Sequence, residues 1–200
     1  ETYSAIYVES VNGRIWVAPG GGGNILHSTN GGANWTAQPT AHFTSIFTID
    51  FVDANTSYIC GGSFFAAQGQ MSVTTNAGAN WNLLTLPAPI NNNQLNSCDF
   101  VDFNTGWVTG GSGSFGLPII YKTTNGGATW AAQSLPNAPL GFGVSVQMVD
   151  ANVGYLKTSD AANQLYYTSD GGSNWIKNST PQATTITHSN MFVLNRDVIY

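Results

Sequence analysis

The side chains that could do acid–base chemistry in this 200-residue sequence are its ten carboxylates. Hydrolysis of a glycosidic bond by the usual route needs two carboxylates that face each other across about 5 to 9.5 Å. Most of the aspartates instead recur one repeat apart, in two sets: Asp53, Asp102 and Asp150, and Asp50 and Asp99. Asp160, in a variable loop, lies outside these sets, but a single acid is not a catalytic pair. The sequence therefore predicts no catalytic residues and a protein that is not an enzyme.

Metal ligation and thiol chemistry have equally little support. The histidines are scattered along the chain and lack the spacing of metal ligands. They are His27, His42 and His188. We therefore expect no metal and no cofactor. Cys60 and Cys98 are favoured as buried thiols over a disulfide, and two cysteines leave the redox compartment open. Composition alone accounts for the glycosylation sequons, which begin at Asn34, Asn55 and Asn178.

The low charge of the chain excludes several classes of function. Only 8% of the residues are charged, against roughly 25% in an ordinary globular domain, and the net charge is -5. A nucleic-acid partner is excluded because five Lys and Arg residues are too few to neutralise a phosphate backbone. Membrane insertion is not expected, because no apolar run approaches roughly 18 residues. A surface rich in Asn, Thr and Gly favours a secreted protein, at the cell surface or on a virion.

Two short motifs recur together along the chain and define its organisation. An octapeptide ending in tryptophan occurs four times, at residues 28–35, 74–81, 123–130 and 168–175. A second motif, Val-Asp-x-Asn-x-x-aromatic, ends at Tyr58, Trp107 and Tyr155, and degenerate copies place Trp16 and Tyr200 in the same position. We expect one domain over residues 1–200. Its repeats run approximately over 1–43, 44–92, 93–140 and 141–186, with a partial fifth at 187–200.

Each repeat is predicted to fold as four short antiparallel strands. Thr44–Phe51 and Val144–Val149 alternate apolar and polar residues, as a half-buried strand does. The tryptophan of the octapeptide is expected on the fourth strand, as in Trp81–Leu86, and no stretch has the 3.6-residue period of a helix. A four-stranded unit of about 40 to 50 residues has the size of a propeller blade. The sequence thus predicts an all-β fold, either a β-propeller or a segment of one.

The octapeptide is predicted to be a structural turn. Its third residue is an Asn or Asp, whose side chain can accept hydrogen bonds from backbone N–H groups further along the turn. The glycines that follow tolerate a positive φ, and the tryptophan supplies apolar surface between neighbouring sheets. The structural residues so defined are Asn30, Trp35, Asn76, Trp81, Asn125, Trp130, Asp170 and Trp175.

On these residues the chain resembles the Asp-box, or BNR, repeat family, whose motif is Ser/Thr-x-Asp-x-Gly-x-x-Trp. The form Thr-Thr-Asn-Gly-Gly-x-x-Trp at residues 123–130, together with the second motif, is most similar to the Ycf48-like photosystem II assembly factors. The resemblance covers essentially the whole chain, with Asn in place of Asp in three of the four boxes. It implies a β-propeller, and for Ycf48-like members a role in photosystem II assembly in the thylakoid lumen.

The face opposite the octapeptide turns is the predicted binding surface. Loops between second and third strands, and between blades, place apolar residues that the repeat does not require among polar amides. Such a mixture is typical of a partner-binding surface. The candidate ligand- or partner-binding residues are Phe64, Phe65, Asn91, Asn92, Phe115, Leu117 and Phe142. We expect the partner to be a protein, a glycan or further copies of this chain.

Three hypotheses of function follow. The first is a non-enzymatic, secreted or surface-exposed scaffold, structural or adhesin-like, that binds through the variable-loop face. The second is a Ycf48-like photosystem assembly factor. The third, implied by the occurrence of the same repeat in sialidases and secreted glycosidases, is a fragment of a glycoside hydrolase whose catalytic residues lie outside this chain. Because the sequence begins and ends at the same phase of the repeat, we also expect it to be part of a longer repeat protein.

Overall fold

The fold is described by a computed structural model of the chain. It covers residues 3–9, 13–19, 23–40, 43–63, 68–111, 116–138, 140–159, 164–178, 193–195 and 198–199. Within these residues the regular structure is β-strand apart from one short 3-10 turn, Ile90–Asn92. The all-β prediction is therefore confirmed, and no helix in the described ranges is long and apolar enough to cross a bilayer.

Sixteen strands form four antiparallel sheets of four strands each, and we call these sheets blades 1 to 4. Blade 1 contains β1 (Tyr3–Glu9), β2 (Arg14–Pro19), β3 (Asn24–Ser28) and β4 (Thr36–Pro39). Blade 2 contains β5 (Ile46–Phe51), β6 (Ser57–Ser63), β7 (Gln68–Thr74) and β8 (Asn82–Leu83).

The other two blades repeat this order. Blade 3 contains β9 (Gln94–Phe100), β10 (Gly106–Gly111), β11 (Ile119–Thr123) and β12 (Ala131–Ala132). Blade 4 contains β13 (Gly143–Met148), β14 (Gly154–Thr158), β15 (Leu165–Thr168) and β16 (Ile176–Asn178). A further two-stranded sheet pairs β17 (Val193–Asn195) with β18 (Val198–Ile199). The strands of each blade follow one another in sequence order across the sheet.

The first strands β1, β5, β9 and β13 lie side by side, so successive blades are arranged around a common inner wall. The core is divided into three clusters, one at each seam between blades. The seam of blades 1 and 2 is filled around Trp16 and Ile49, and that of blades 2 and 3 around Tyr58 and Phe100. Trp107 anchors the seam of blades 3 and 4. The second-strand aromatics of blades 1 to 3 therefore pack against the following blade.

The octapeptide tryptophans differ from expectation in two respects. Each one directly precedes the fourth strand instead of lying within it, because the turn is completed only at the tryptophan. Trp175 is 3% exposed, whereas Trp35 is 43% exposed. The difference follows from the preceding blade. Blade 3 covers Trp175 with Gln133, whose Oε1 accepts a 3.0 Å hydrogen bond from the indole Nε1, whereas the described residues place no blade before blade 1.

Candidate functional site

The octapeptide turns, which we call the boxes, use their own polar atoms to close the turn. In the third box, Asn125 Oδ1 accepts hydrogen bonds from Thr129 N (2.8 Å) and from Thr123 Oγ1 (3.0 Å). The Thr123 hydroxyl in turn accepts the N–H of Gly127 at 2.9 Å. The other three boxes repeat this pattern. The box residues are thus used in folding. The first-position hydroxyl was not assigned a role from the sequence, although its place in every box was a usable signal.

The second motif also closes turns. Asp53 Oδ1 accepts the N–H groups of Asn55 (2.7 Å) and Thr56 (2.8 Å), and these bonds lower the pKa of its carboxyl. Asp102 and Asp150 make the same pair of bonds in blades 3 and 4. Each such turn lies against the box of its own blade, since its Asn carbonyl accepts a box N–H, as Asn104 O does from Gly126. Both kinds of turn therefore occupy one end of the blades, the box end.

Asp50 and Asp99 link the blades along the inner wall. Asp50 Oδ2 accepts the N–H of Phe100 on the next blade, and Asp99 Oδ2 accepts the N–H of Met148, both at 2.6 Å. Burial raises the pKa of Asp99 to about 6. Burial and the neighbouring Asp99 also raise the pKa of Asp50 well above its ordinary value. Gln147 stands at the equivalent position of blade 4.

These two aspartates are poorly suited to glycoside hydrolysis. They line a cleft of about 120 Å³ together with hydroxyl groups of Thr48, Ser97 and Ser145. A water molecule occupies about 30 Å³ of liquid, so the cleft has room for a few waters. Each carboxylate already holds a backbone N–H of the next blade. The described residues also contain no cluster of His, Cys, Asp and Glu that could hold a metal ion.

A groove of about 550 Å³ lies between the boxes of blades 3 and 4. It is lined by Trp130, Ala131, Gln133 and Lys122, among others. Lys122 Nζ donates to Gly171 O at 3.2 Å and lies 4.6 Å from the ring centroid of Trp107, and burial lowers the pKa of its amine. The cation is therefore engaged in the seam, and the groove offers mainly amide, hydroxyl and alanine surface.

The end opposite the boxes, which we call the loop end, brings part of the predicted binding surface together. There, Gly141 N donates to Gly116 O at 2.8 Å, joining the blade 3–4 linker to the β10–β11 loop. Leu117 and Phe142 both lie beside Gly111. Leu140 lies two residues before Phe142 in the linker, and it was not named from the sequence although its type and position were visible there.

The remaining predicted binding residues lie either on the turn before β9 or outside the described residues. Asn91 and Asn92 are exposed on the 3-10 turn before β9, while the adjacent Asn93 is buried and donates its side-chain amide to Pro89 O at 2.7 Å. The other predicted members lie outside the described residues: Phe64, Phe65 and Phe115. Binding through any of these side chains stays a prediction.

Four-stranded antiparallel blades that share an inner wall, with box turns at one end, define a segment of a β-propeller. Residues 43–191 match the family of the photosynthesis system II assembly factor YCF48, and the chain belongs to that family. The predicted resemblance is confirmed. A search of curated proteins finds no match.

Solved structures share the fold. YCF48 bound to D1 peptide is 25% identical with a TM-score of 0.53, over 66% of this chain and 38% of that one. YCF48 from Cyanidioschyzon merolae is 16% identical with a TM-score of 0.64, over 98% and 61% of the two chains. The GH74 enzyme of Niastella koreensis is 16% identical with a TM-score of 0.73, over 96% and 31%. This chain thus spans between 31% and 61% of the length of these proteins.

Proposed function

We propose that this chain is a non-catalytic, protein-binding segment of a YCF48-like assembly factor, which holds a polypeptide segment of its partner at the loop end of blades 3 and 4. The observation that carries the proposal is two exposed leucines at that end, Leu117 and Leu140, whose neighbours Gly116 and Gly141 are joined by a backbone hydrogen bond. Leu117 is 58% exposed and Leu140 is 61% exposed. Exposed apolar side chains that gather on one part of a surface often mark a site of protein–protein contact.

The backbone beneath this pair is held in place. The Gly141–Gly116 hydrogen bond ties the two loops together, and Ser159 N donates to Phe142 O at 2.9 Å. Phe142 packs against Gly111, so a larger residue at Gly111 would collide with it. A fixed apolar pair loses little conformational entropy on binding, which favours affinity.

Membership of the YCF48 family supports a protein partner, because the YCF48 structure at 25% identity contains a D1 peptide. Family membership favours the assembly-factor hypothesis over the hypothesis of a secreted adhesin, which is supported only by composition. The GH74 likeness is a likeness of fold at 16% identity, and the inner-wall aspartates are engaged with backbone. The extracellular location and a glycan partner stay predictions from composition.

The chemistry of the site defines how binding should respond to salt. Leu117, Leu140, Phe142 and the nearby Asn91 and Asn92 carry no charge. Binding at this surface should therefore depend on apolar contact and amide hydrogen bonds. We expect the affinity to change less than about threefold between low and physiological ionic strength, because there is little charge for salt to screen.

The experiment is a titration of the purified chain with a labelled synthetic D1 peptide, followed by fluorescence anisotropy. We expect saturable binding, and a loss of at least about tenfold in Leu117→Asp, which puts a charge into the contact. Ile176→Asp is the matched control, because Ile176 is 59% exposed but lies on β16 next to the box end. It should bind like the wild type.

Three outcomes would contradict the proposal. No binding below about 1 mM peptide would exclude the D1-like partner. Equal loss in the two variants would move the site away from the loop end. Release of reducing sugar from xyloglucan by the purified chain would show that it is catalytic.

A further inference from the structure

The two cysteines of the chain meet across the seam between blades 2 and 3. Cys60 lies on β6 and Cys98 on β9, with 37 residues between them in the sequence. Both are buried in the same apolar cluster, and Cys60 is close enough to Cys98 to raise the pKa of its thiol. The sequence showed two isolated cysteines, and only the packing of successive blades makes them a pair.

Strand register explains why they meet. The rings of Tyr58 and Phe100 stack across the same seam, with centroids 3.5 Å apart and planes within 1°. Side chains on a strand return to the same face every second residue. Cys60 is two residues after Tyr58, and Cys98 is two residues before Phe100. The two cysteines therefore occupy the next pair of facing positions along the two antiparallel strands, and we call this pair of positions the rung.

Contacts from β5 fix the two strands at this register. Thr48, which pairs with Cys60, donates its hydroxyl to Asn96 O at 3.0 Å. Asp50, which pairs with Tyr58, holds the N–H of Phe100. Blade 2 is thus joined to β9 on both sides of Cys98, and the thiol pair has little freedom to separate.

The other seams show that packing does not require thiols at this rung. Ala18 and Ile49 occupy the corresponding positions between blades 1 and 2, and Thr109 and Val146 occupy them between blades 3 and 4. Small apolar or hydroxyl side chains therefore fill the rung equally well. The seam of blades 2 and 3 differs in having two side chains that can be joined covalently.

We propose that Cys60 and Cys98 are a redox modification site, at which a small-molecule disulfide such as oxidised glutathione converts the two thiols into a disulfide that joins blades 2 and 3. One cysteine thiolate attacks a sulfur of the external disulfide and expels one external thiolate. The other cysteine thiolate then attacks the mixed disulfide and expels the second. The protein gives up two protons and two electrons, and the external disulfide becomes two thiols.

Burial of the two thiols means that this reaction occurs during folding and not in the folded protein. Burial and the neighbouring Cys60 raise the pKa of the Cys98 thiol well above its ordinary value, so native Cys98 carries little thiolate, and the burial of both side chains keeps an external oxidant away from them. The exchange therefore takes place while the chain folds, before the seam closes. Once folded, the protein keeps the state it acquired, and that state records the redox conditions of folding.

The test is to unfold the reduced chain in urea and refold it by dilution, either with oxidised glutathione or with excess reductant. Intact mass and alkylation under denaturing conditions then report the thiols. We expect the oxidised sample to be lighter by about 2 Da and to take up no alkylating agent. Its melting temperature should lie above that of the reduced sample by on the order of 10 °C, because the cross-link constrains the unfolded chain.

The matched control is the double variant Cys60→Thr plus Cys98→Val, which copies the seam of blades 3 and 4. It should melt at the same temperature after either treatment. The proposal is overturned if the wild-type chain, folded by its tryptophan fluorescence, still takes up two alkyl groups after refolding with oxidised glutathione. Cross-links only between chains, seen as dimers without reductant, would also overturn it. Equally fast oxidation of native and unfolded protein would refute the protection by burial.

Discussion

Two substitutions of Asp99 distinguish the effect of its charge on stability from the effect of its hydrogen bond. The carboxyl accepts the N–H of Met148 at 2.6 Å, and burial raises its pKa from 3.8 to about 6. A carboxyl with a raised pKa in the folded state binds its proton more tightly when folded than when unfolded. This group's contribution to stability is therefore complete below about pH 4, falls as pH rises through about 6, and is constant above that. Asp99→Asn removes the charge but leaves an oxygen that can accept the same bond.

The size of the effect follows from the pKa shift. A shift of one pKa unit corresponds to 1.36 kcal/mol, so a rise to about 6 corresponds to at most about 3 kcal/mol. Because the cleft beside Asp99 has room for water that would screen its charge, we expect Asp99→Asn to raise the free energy of unfolding by about 1 to 2 kcal/mol near pH 8. Near pH 4 it should be neutral. Asp99→Ala removes the same charge but also leaves the Met148 N–H without its acceptor, so it should be about 1 to 3 kcal/mol less stable than Asp99→Asn at both pH values.

Urea unfolding followed by tryptophan fluorescence measures these differences. The comparison of each variant with the wild type at the same pH cancels the carboxyls that do not interact with Asp99. This matters because Asp53 and Asp102 have lowered pKa values and contribute stability that is lost as pH falls. The reasoning is refuted if Asp99→Asn and Asp99→Ala destabilise equally at both pH values. It is also refuted if the gap between wild type and Asp99→Asn does not change with pH.

Two further predictions concern single hydrogen bonds and use the same unfolding assay. Thr123→Val keeps the side-chain volume but removes the acceptor of the Gly127 N–H, and should lower the free energy of unfolding by about 1 to 3 kcal/mol. Asp170→Asn, which copies the other boxes, is its near-neutral control, and wild-type stability in Thr123→Val would contradict the role of the hydroxyl. Tyr58→Phe keeps the ring but loses the 2.7 Å bond to Phe103 O, at a cost of about 1 kcal/mol. No loss would mean that water replaces the hydroxyl.

Local patterns in the sequence predicted the blade well. The box around Asn125 closes within eight residues, and its hydrogen bonds join atoms that are neighbours in the chain. The alternation of apolar and polar residues in the first strands, and the constant spacing between the two motifs, also depend only on residues that are close together in the chain. Such features need no knowledge of the rest of the molecule, and four copies of them were enough to predict an all-β propeller segment.

The predicted site was recovered less completely. Leu117 and Phe142 lie together at the loop end, but Leu140 was not named, because only the Gly141–Gly116 bond brings its linker next to the loop of Leu117. The sequence likewise gave no indication of a role for Gln133 beyond its place three residues after Trp130. Its contacts with Gly171 and Trp175 belong to the next blade.

The amino-acid sequence by itself therefore determined the repeat, the strand order within a blade and the turn chemistry, because these depend on contacts made within one repeat. Tertiary structure decided the roles of the inner-wall aspartates, the exposure of Trp35 and the meeting of Cys60 with Cys98. Each of these depends on which side chain the neighbouring blade places opposite. Asp50, Asp99 and the two cysteines are ordinary strand residues in sequence, and only the register between blades gives them partners.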